Sequence, residues 1–223
     1  MVLGVDACKK GWVGVSGELR GYFGRTIDEV VAAAAQDGSL DVVGIDIPVG
    51  MPATGARQAD VLARRMVGRR ASSVFSTPVR DAVAAATYAE ALEVSLRLTG
   101  KGISRQSYAL AQRILEVDAW APTAGCPVIE VHPEVCFATM AGHSLEHPKS
   151  TWAGIEERRR LLASVGLLMP ADIGAAGEYG AVDDVLDAAA VAWTAGRYAE
   201  GKAVAYPDPP EVLGEGVTAA IWV

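Results

Sequence analysis

The sequence predicts an α/β protein in which a mixed sheet, flanked by helices, carries a helical insertion. Three observations point there. Residues 2–24 hold three short runs of β-branched and aromatic residues separated by tight turns. Residues 57–118 show helical periodicity and almost no strand signal. Near the C-terminal end, one helical pattern is apolar almost all round, as a helix buried against a sheet is.

In chain order, "VLGVD" (2–6), "WVGVS" (12–16) and "LRGYFG" (19–24), divided by "KKG" and "GE", read as an antiparallel meander. Thr26 is an N-cap for "IDEVVAAAAQ", which has acids in its first turn and stops before "DGS". "DVVGID" (41–46) is a second apolar run that closes on aspartate, and it reads as a fourth strand. In the insertion, the first helical pattern puts Ala59, Leu62, Ala63 and Met66 on one face, with Arg57, Arg64 and Arg65 elsewhere. "TYAEALEVSLRL" and "SRQSYALAQRILEVDAW" follow, the latter capped by Ser104. "GKGIS" (100–104) lacks the Gly-Lys-Ser/Thr ending of a nucleotide loop and reads as a turn. Strand signal returns at "CPVIEVHP" (126–133), followed by helices around 134–141 and 151–165 and a Gly- and Pro-containing loop at 166–180. The buried helix is "VDDVLDAAAVAWTAGRYAEG", and "GVTAAIWV" reads as a closing edge strand. The expected organisation is one domain over 1–223 with the insertion at 57–118.

Apolar residues make up 51% of the chain and charged ones 21%, enough to bury a core and too few charges for disorder. The first residue leads almost directly into a strand pattern, and no run approaches a membrane span, which predicts a cytoplasmic protein with no membrane partner. The three cysteines, Cys8, Cys126 and Cys136, have no C-x-x-C spacing and read as buried thiols. A net charge of −7 runs against nucleic-acid binding, but it is unevenly spread. Residues 57–118 hold ten Lys or Arg against six Asp or Glu, whereas the remainder holds ten against twenty-one.

Ligands bind beyond the carboxyl ends of parallel strands, so a strand-closing side chain points into that crevice. Asp6 closes the first strand and Asp46 the fourth; as neighbours they would repel unless a cation or proton lay between them. Carboxylate oxygens suit a hard divalent ion such as Mg²⁺. On the buried helix, Asp187 shares a face with Asp184 and with Asp183, although Asp183 is equally a helix cap. Glu130 lies on the fifth strand with His132 on its side by the period of two. His132 followed by Pro133 reads more readily as a structural residue than as a ligand, and His143 and His147, beside Pro148, do not form a helical metal face.

The segments "GVDACKKGW", "GIDIPVGMP", "RRASSVFSTPVR", "EVHPEVCF" and "DDVLDAAAVAWTA", in that order, resemble the domain of unknown function 429 family of predicted ribonuclease H-like nucleases. The resemblance covers nearly the whole chain and implies a ribonuclease H-like sheet. It also implies hydrolysis of phosphodiesters with two divalent ions, Mg²⁺ or Mn²⁺, one activating water and the other stabilising the leaving oxygen. By it, Asp6, Asp46, Asp184 and Asp187 match the metal-binding carboxylates, with Glu130 as an added catalytic residue.

The insertion would supply the positive surface that the acidic total lacks. Between residues 57 and 80, Arg57, Arg64, Arg65, Arg69, Arg70 and Arg80 face a single acid, Asp60. Arg69, Arg70, Ser72, Ser73, Thr77 and Arg80 are the expected phosphate-binding residues, since guanidinium and hydroxyl groups suit phosphate oxygens. The expected partner is a nucleic acid or a phosphorylated small molecule, and self-association into a homo-oligomer is left open. The rival reading is a non-catalytic binding protein for a nucleotide or similar phosphorylated ligand on the same fold.

Overall fold

The computed structural model describes residues 1–214 and 217–223. The N-terminal meander forms as β1 (Val2–Cys8), β2 (Gly11–Ser16) and β3 (Gly21–Gly24), each antiparallel to the next. Helix α1 (Ile27–Ala35) begins where the Thr26 hydroxyl accepts the Glu29 N–H at 3.2 Å, with Asp28 and Glu29 against the positive end of its dipole. It returns the chain to β4 (Val42–Ile45), parallel to β1 with Val5 opposite Ile45.

The basic segment then folds as α2 (Gln58–Val67), a 3₁₀ turn over Gly68–Ser73, α3 (Arg80–Val83), α4 (Tyr88–Thr99), α5 (Arg105–Ala109) and α6 (Ala111–Trp120). The third helical pattern is therefore two helices, which meet at Leu110. Ser104 caps α5 as expected, its hydroxyl accepting the Ser107 N–H at 2.9 Å. Helix α6 joins the sheet itself: Ala111, Ile114 and Val117 pack with Leu3, Val5 and Ile45 and with Ile27 and Val30 of α1. Its Glu116 carboxylate accepts from the Trp12 indole at 3.1 Å and from the Ile27 N–H at 2.7 Å, fastening α6 to β2 and α1.

Next come β5 (Val128–Val131), parallel to β4, and α7 (Pro133–Ala141), α8 (Trp152–Ser164), α9 (Ala175–Tyr179) and α10 (Val182–Ala199). The expected loop at 166–180 thus contains a short helix. The chain ends in β6 (Ala205–Val212) and β7 (Thr218–Trp222), and the full strand order is β3-β2-β1-β4-β5-β7-β6. This mixed sheet between helical layers is the expected α/β fold and is consistent with a ribonuclease H-like arrangement.

Two differences concern the C-terminal end. The "GVTAAIWV" strand is interior, parallel to β5 on one side and antiparallel to β6 on the other; its first residue, Gly216, lies outside the described residues. The edge is β6, whose Pro207, Pro209 and Pro210 suppress a strand reading from sequence, and whose register against β7 shifts between Tyr206 and Glu211. An edge strand tolerates the missing N–H groups because one side needs no ladder.

The two faces of the sheet separate by residue parity. Leu3, Val5, Val43 and Ile45 face α1 and α6. Gly4 and Gly44 face α10, which comes so close that a Cβ on Gly4 would lie 2.1 Å from the Ala192 nitrogen. The alanine-rich body of α10, buried from Val185 through Ala192, makes that approach sterically feasible. Cys8 and Cys136 are buried and Cys126 half-buried, all as free thiols. Among the described residues no helix is long and apolar enough to cross a membrane.

Candidate functional site

Asp6 and Asp46 continue the parity of Gly4 and Gly44, so both side chains leave the sheet on the α10 face. Asp6 lies within β1, which runs on to Cys8 rather than ending at the aspartate. Asp46 follows β4 directly, and its N–H donates to the Val5 carbonyl at 3.0 Å. Asp187 precedes Ala188, whose carbonyl oxygen would stand 2.2 Å from a Cβ on Gly4. The close seating of α10 therefore brings the third carboxylate down onto the first two. One oxygen from each of Asp6, Asp46 and Asp187 lies within 4.8 Å of the others.

These charges are poorly hydrated. Burial pushes the Asp6 carboxyl well above the ordinary carboxylate range, with Asp46 and Asp187 adding repulsion. Burial likewise raises Asp46 to about 7 and Asp187 to about 6, against the opposing pull of Lys149. Such a group favours a proton or a cation. Three oxygen donors at this spacing suit a hard divalent ion, and Glu134, outside the close group, adds negative charge near Asp46. Glu134 is 8% exposed, Arg158 Nη2 donates to its Oε1, and its buried Oε2 has no hydrogen-bond partner among the described residues.

A cavity of about 370 Å³ opens on this cluster, lined by Asp6, Asp46 and Asp187 together with Arg70, Ser72 and Ser73 of the basic segment. His132, Glu134 and Lys149 complete its polar lining with Gln106 and Ser150. Burial lowers the His132 pKa against the opposing pull of Glu134 and Asp187, and its Nδ1 is buried without a partner among the described residues.

The other expected residues lie elsewhere or serve other ends. Asp184 is outside the close group: its carboxylate accepts the Ala181 N–H at 3.0 Å and closes the first turn of α10. Glu130 projects from the opposite face of β5, because Ile129 and Val131 belong to the core on the α10 side. There Arg57 binds both its oxygens, at 2.6 and 2.7 Å, and the Val49 N–H donates to Oε2 at 2.7 Å. Arg57 also reaches Asp60 at 2.6 Å, and burial that opposes its charge is outweighed by Glu130 and Asp60. Thr77 is held by the same network, its N–H and hydroxyl donating to Asp60 at 2.7 and 3.1 Å. Arg80 grips Asp118 at 2.6 and 2.9 Å, and Arg69 is exposed; neither lines the cavity.

Glu134 and Lys149 were not among the residues expected from sequence. Glu134 sits in the first turn of a helix that directly follows a core strand, the same placement that recommends strand-end aspartates. Nothing in the local pattern around "HPKST" marks Lys149.

Parallel strands, a carboxylate triad at their carboxyl ends and an adjoining cavity with arginine and serine define an α/β protein with a buried group able to hold a metal ion. The family model described as "Protein of unknown function (DUF429)" matches residues 4–212, and the chain belongs to that family. Comparison with curated proteins and with solved structures gave no match.

Proposed function

We propose that this protein is a metal-dependent phosphodiester hydrolase, with nucleic acid as the substrate class implied by its resemblance to predicted nucleases. The observation that carries the reading is the grouping of Asp6, Asp46 and Asp187 within 4.8 Å, in a cavity that also receives Arg70, Ser72 and Ser73. A bound Mg²⁺ or Mn²⁺, or a pair of them, would supply an acidified water and neutralise charge on a phosphate oxygen.

The chain's own part is to hold and to orient. Asp6, Asp46 and Asp187 would hold the first ion; Glu134, which lines the same cavity and whose buried Oε2 has no partner among the described residues, would be a further oxygen ligand. Arg70 lines the cavity, and its Nη2 donates to the Glu146 carbonyl at 2.8 Å, a contact that fixes the direction of its arm. Ser73 Oγ spends its proton on the Arg70 carbonyl at 2.8 Å and so would brace that residue, leaving the Ser72 hydroxyl, which lines the cavity, as the serine donor for a phosphate oxygen.

The test is cleavage of single-stranded DNA, duplex DNA, RNA and bis(p-nitrophenyl) phosphate, with Mg²⁺, Mn²⁺ or EDTA. The wild-type protein should turn over at least one substrate with metal and none in EDTA. Asp6→Asn should lower that rate at least about 100-fold with unchanged circular dichroism. Equal rates in the variant would remove the mechanism. Metal-loaded protein that cleaves nothing but is stabilised thermally by a nucleotide would establish the binding-protein reading instead.

A further inference from the structure

Lys149 lies in the connection between α7 and α8, and its ammonium is already seated on the carboxylates. Nζ is 2.6 Å from Asp187 Oδ2 and 3.5 Å from Asp183 Oδ2. Burial works against its charge, but Asp187, Asp6 and Asp46 together outweigh that penalty and hold it protonated. The molecule thus supplies its own cation to the group.

The backbone that carries this side chain is fixed. Pro148 O accepts from Thr151 N at 3.0 Å and from Thr151 Oγ1 at 2.8 Å. The loop lies against α8 so closely that a Cβ on Gly154 would come 1.9 Å from Pro148 O. Arg158 donates to the His147 carbonyl at 3.2 Å, and the Glu157 carboxylate accepts from the Glu146 and His147 N–H groups at 3.1 Å each. The freedom that remains belongs to the four-carbon arm, 42% exposed and lining the same cavity as Arg70, Ser72 and Ser73.

A divalent ion held by Asp6, Asp46 and Asp187 would repel an ammonium hydrogen-bonded to the same group, since the two like charges would lie only a few ångströms apart. The arm is the part that can yield, and the cavity it lines, where a phosphate would stand, offers it a place to turn. We propose that Lys149 neutralises the carboxylate group before metal enters and, once displaced by a divalent ion, donates its ammonium to the substrate phosphate. This rests on the hydrolase reading and assigns that site a further phosphate-binding residue.

The experiment measures Mn²⁺ binding alone, by the electron paramagnetic resonance of free Mn²⁺, and then inorganic phosphate binding to the Mn²⁺-loaded protein. Lys149→Met, which keeps the arm's bulk and removes its charge, should bind Mn²⁺ about tenfold more tightly and phosphate about tenfold more weakly than wild type. Lys149→Arg should stay within about threefold of wild type in both, since it keeps the charge. Lys149→Gln takes the place of the methionine variant if the latter does not fold. A merely structural lysine would not move the two affinities in opposite directions. Unchanged or weaker Mn²⁺ binding in Lys149→Met overturns the proposal and leaves the hydrolase reading standing. Tighter Mn²⁺ binding with unchanged phosphate binding overturns the second role. Absence of Mn²⁺ binding in wild type and variants alike overturns both readings.

Discussion

Asp6, Asp46 and Asp187 each carry a cost that folding alone does not recover. An unfolded chain keeps these carboxyls in their ordinary range, whereas burial holds Asp46 at about 7 and Asp187 at about 6 and raises Asp6 as well. Between those limits the folded protein binds more protons than the unfolded one, so stability must fall as pH rises. The contribution is full below the ordinary carboxyl range and is lost as pH climbs through 6 and 7. In EDTA, the melting temperature should therefore decline between pH 5 and pH 8, as followed by differential scanning fluorimetry. Saturating Mn²⁺ should raise it more at pH 8 than at pH 5, because metal replaces the protons. A flat profile in EDTA would mean that the three groups are solvated after all. Asp6 and Asp46 were legible as the residues that close apolar strand runs, and they fall on one side because each is two positions from a glycine facing α10. Glu130 shows the limit. Its face depends on where β5 sits in the core, and the buried Arg57 that claims it lies 73 residues away in sequence.

Helix α10 turns small side chains into a close carboxylate group able to hold a metal ion. Gly4 and Gly44 leave no Cβ on β1 and β4, and Ala188, Val191, Ala192 and Ala195 occupy the space above them. That depth of contact, rather than any feature of Asp187 itself, brings its carboxylate to the strands. Gly4→Ala should therefore act on both stability and binding. The new methyl would meet backbone atoms of Ala188 and Ala192 at 2.2 and 2.1 Å, which no rotamer change relieves. The expected cost is about 3 kcal/mol or more, read from urea denaturation. Because α10 must lift away to accommodate it, Mn²⁺ affinity of the folded fraction should fall as well. Destabilisation with unchanged Mn²⁺ affinity would show that Asp187 is positioned by something other than this contact. The helix was legible as buried from its all-round apolar pattern, but its depth was not, since that requires knowing which strands lie beneath it. Strand β6 was missed for the converse reason: its prolines are excluded from central strands, and only the finished sheet shows that β6 is the edge.

For the whole molecule, the division between a basic segment and an acidic remainder was visible in composition, and the structure redistributes what that division means. Several of the segment's charges are spent internally. Arg57 is buried between Glu130 and Asp60, Arg80 grips Asp118, Arg113 pairs with Glu116 and Arg64 donates to the Val74 carbonyl. Arg70 is the arginine from this segment that lines the cavity, with Arg65 and Arg69 exposed nearby in sequence. A net charge of −7 over the chain opposes any wider electrostatic grip on a polyanion. The consequence is a shallow salt dependence. With Arg70 and at most one further cationic contact at about −0.7 each, the logarithm of affinity for a labelled single-stranded oligonucleotide should fall with the logarithm of KCl concentration at a slope of about −1. Asp6→Asn, without added metal, allows the measurement without cleavage. Arg70→Ala should reduce the magnitude of the slope by about one contact's share, because it removes a charge aimed at the cavity. A slope steeper than about −5 would instead require a broad basic face across residues 57–118, and would place the nucleic acid on α2 and its neighbours rather than at the carboxylates.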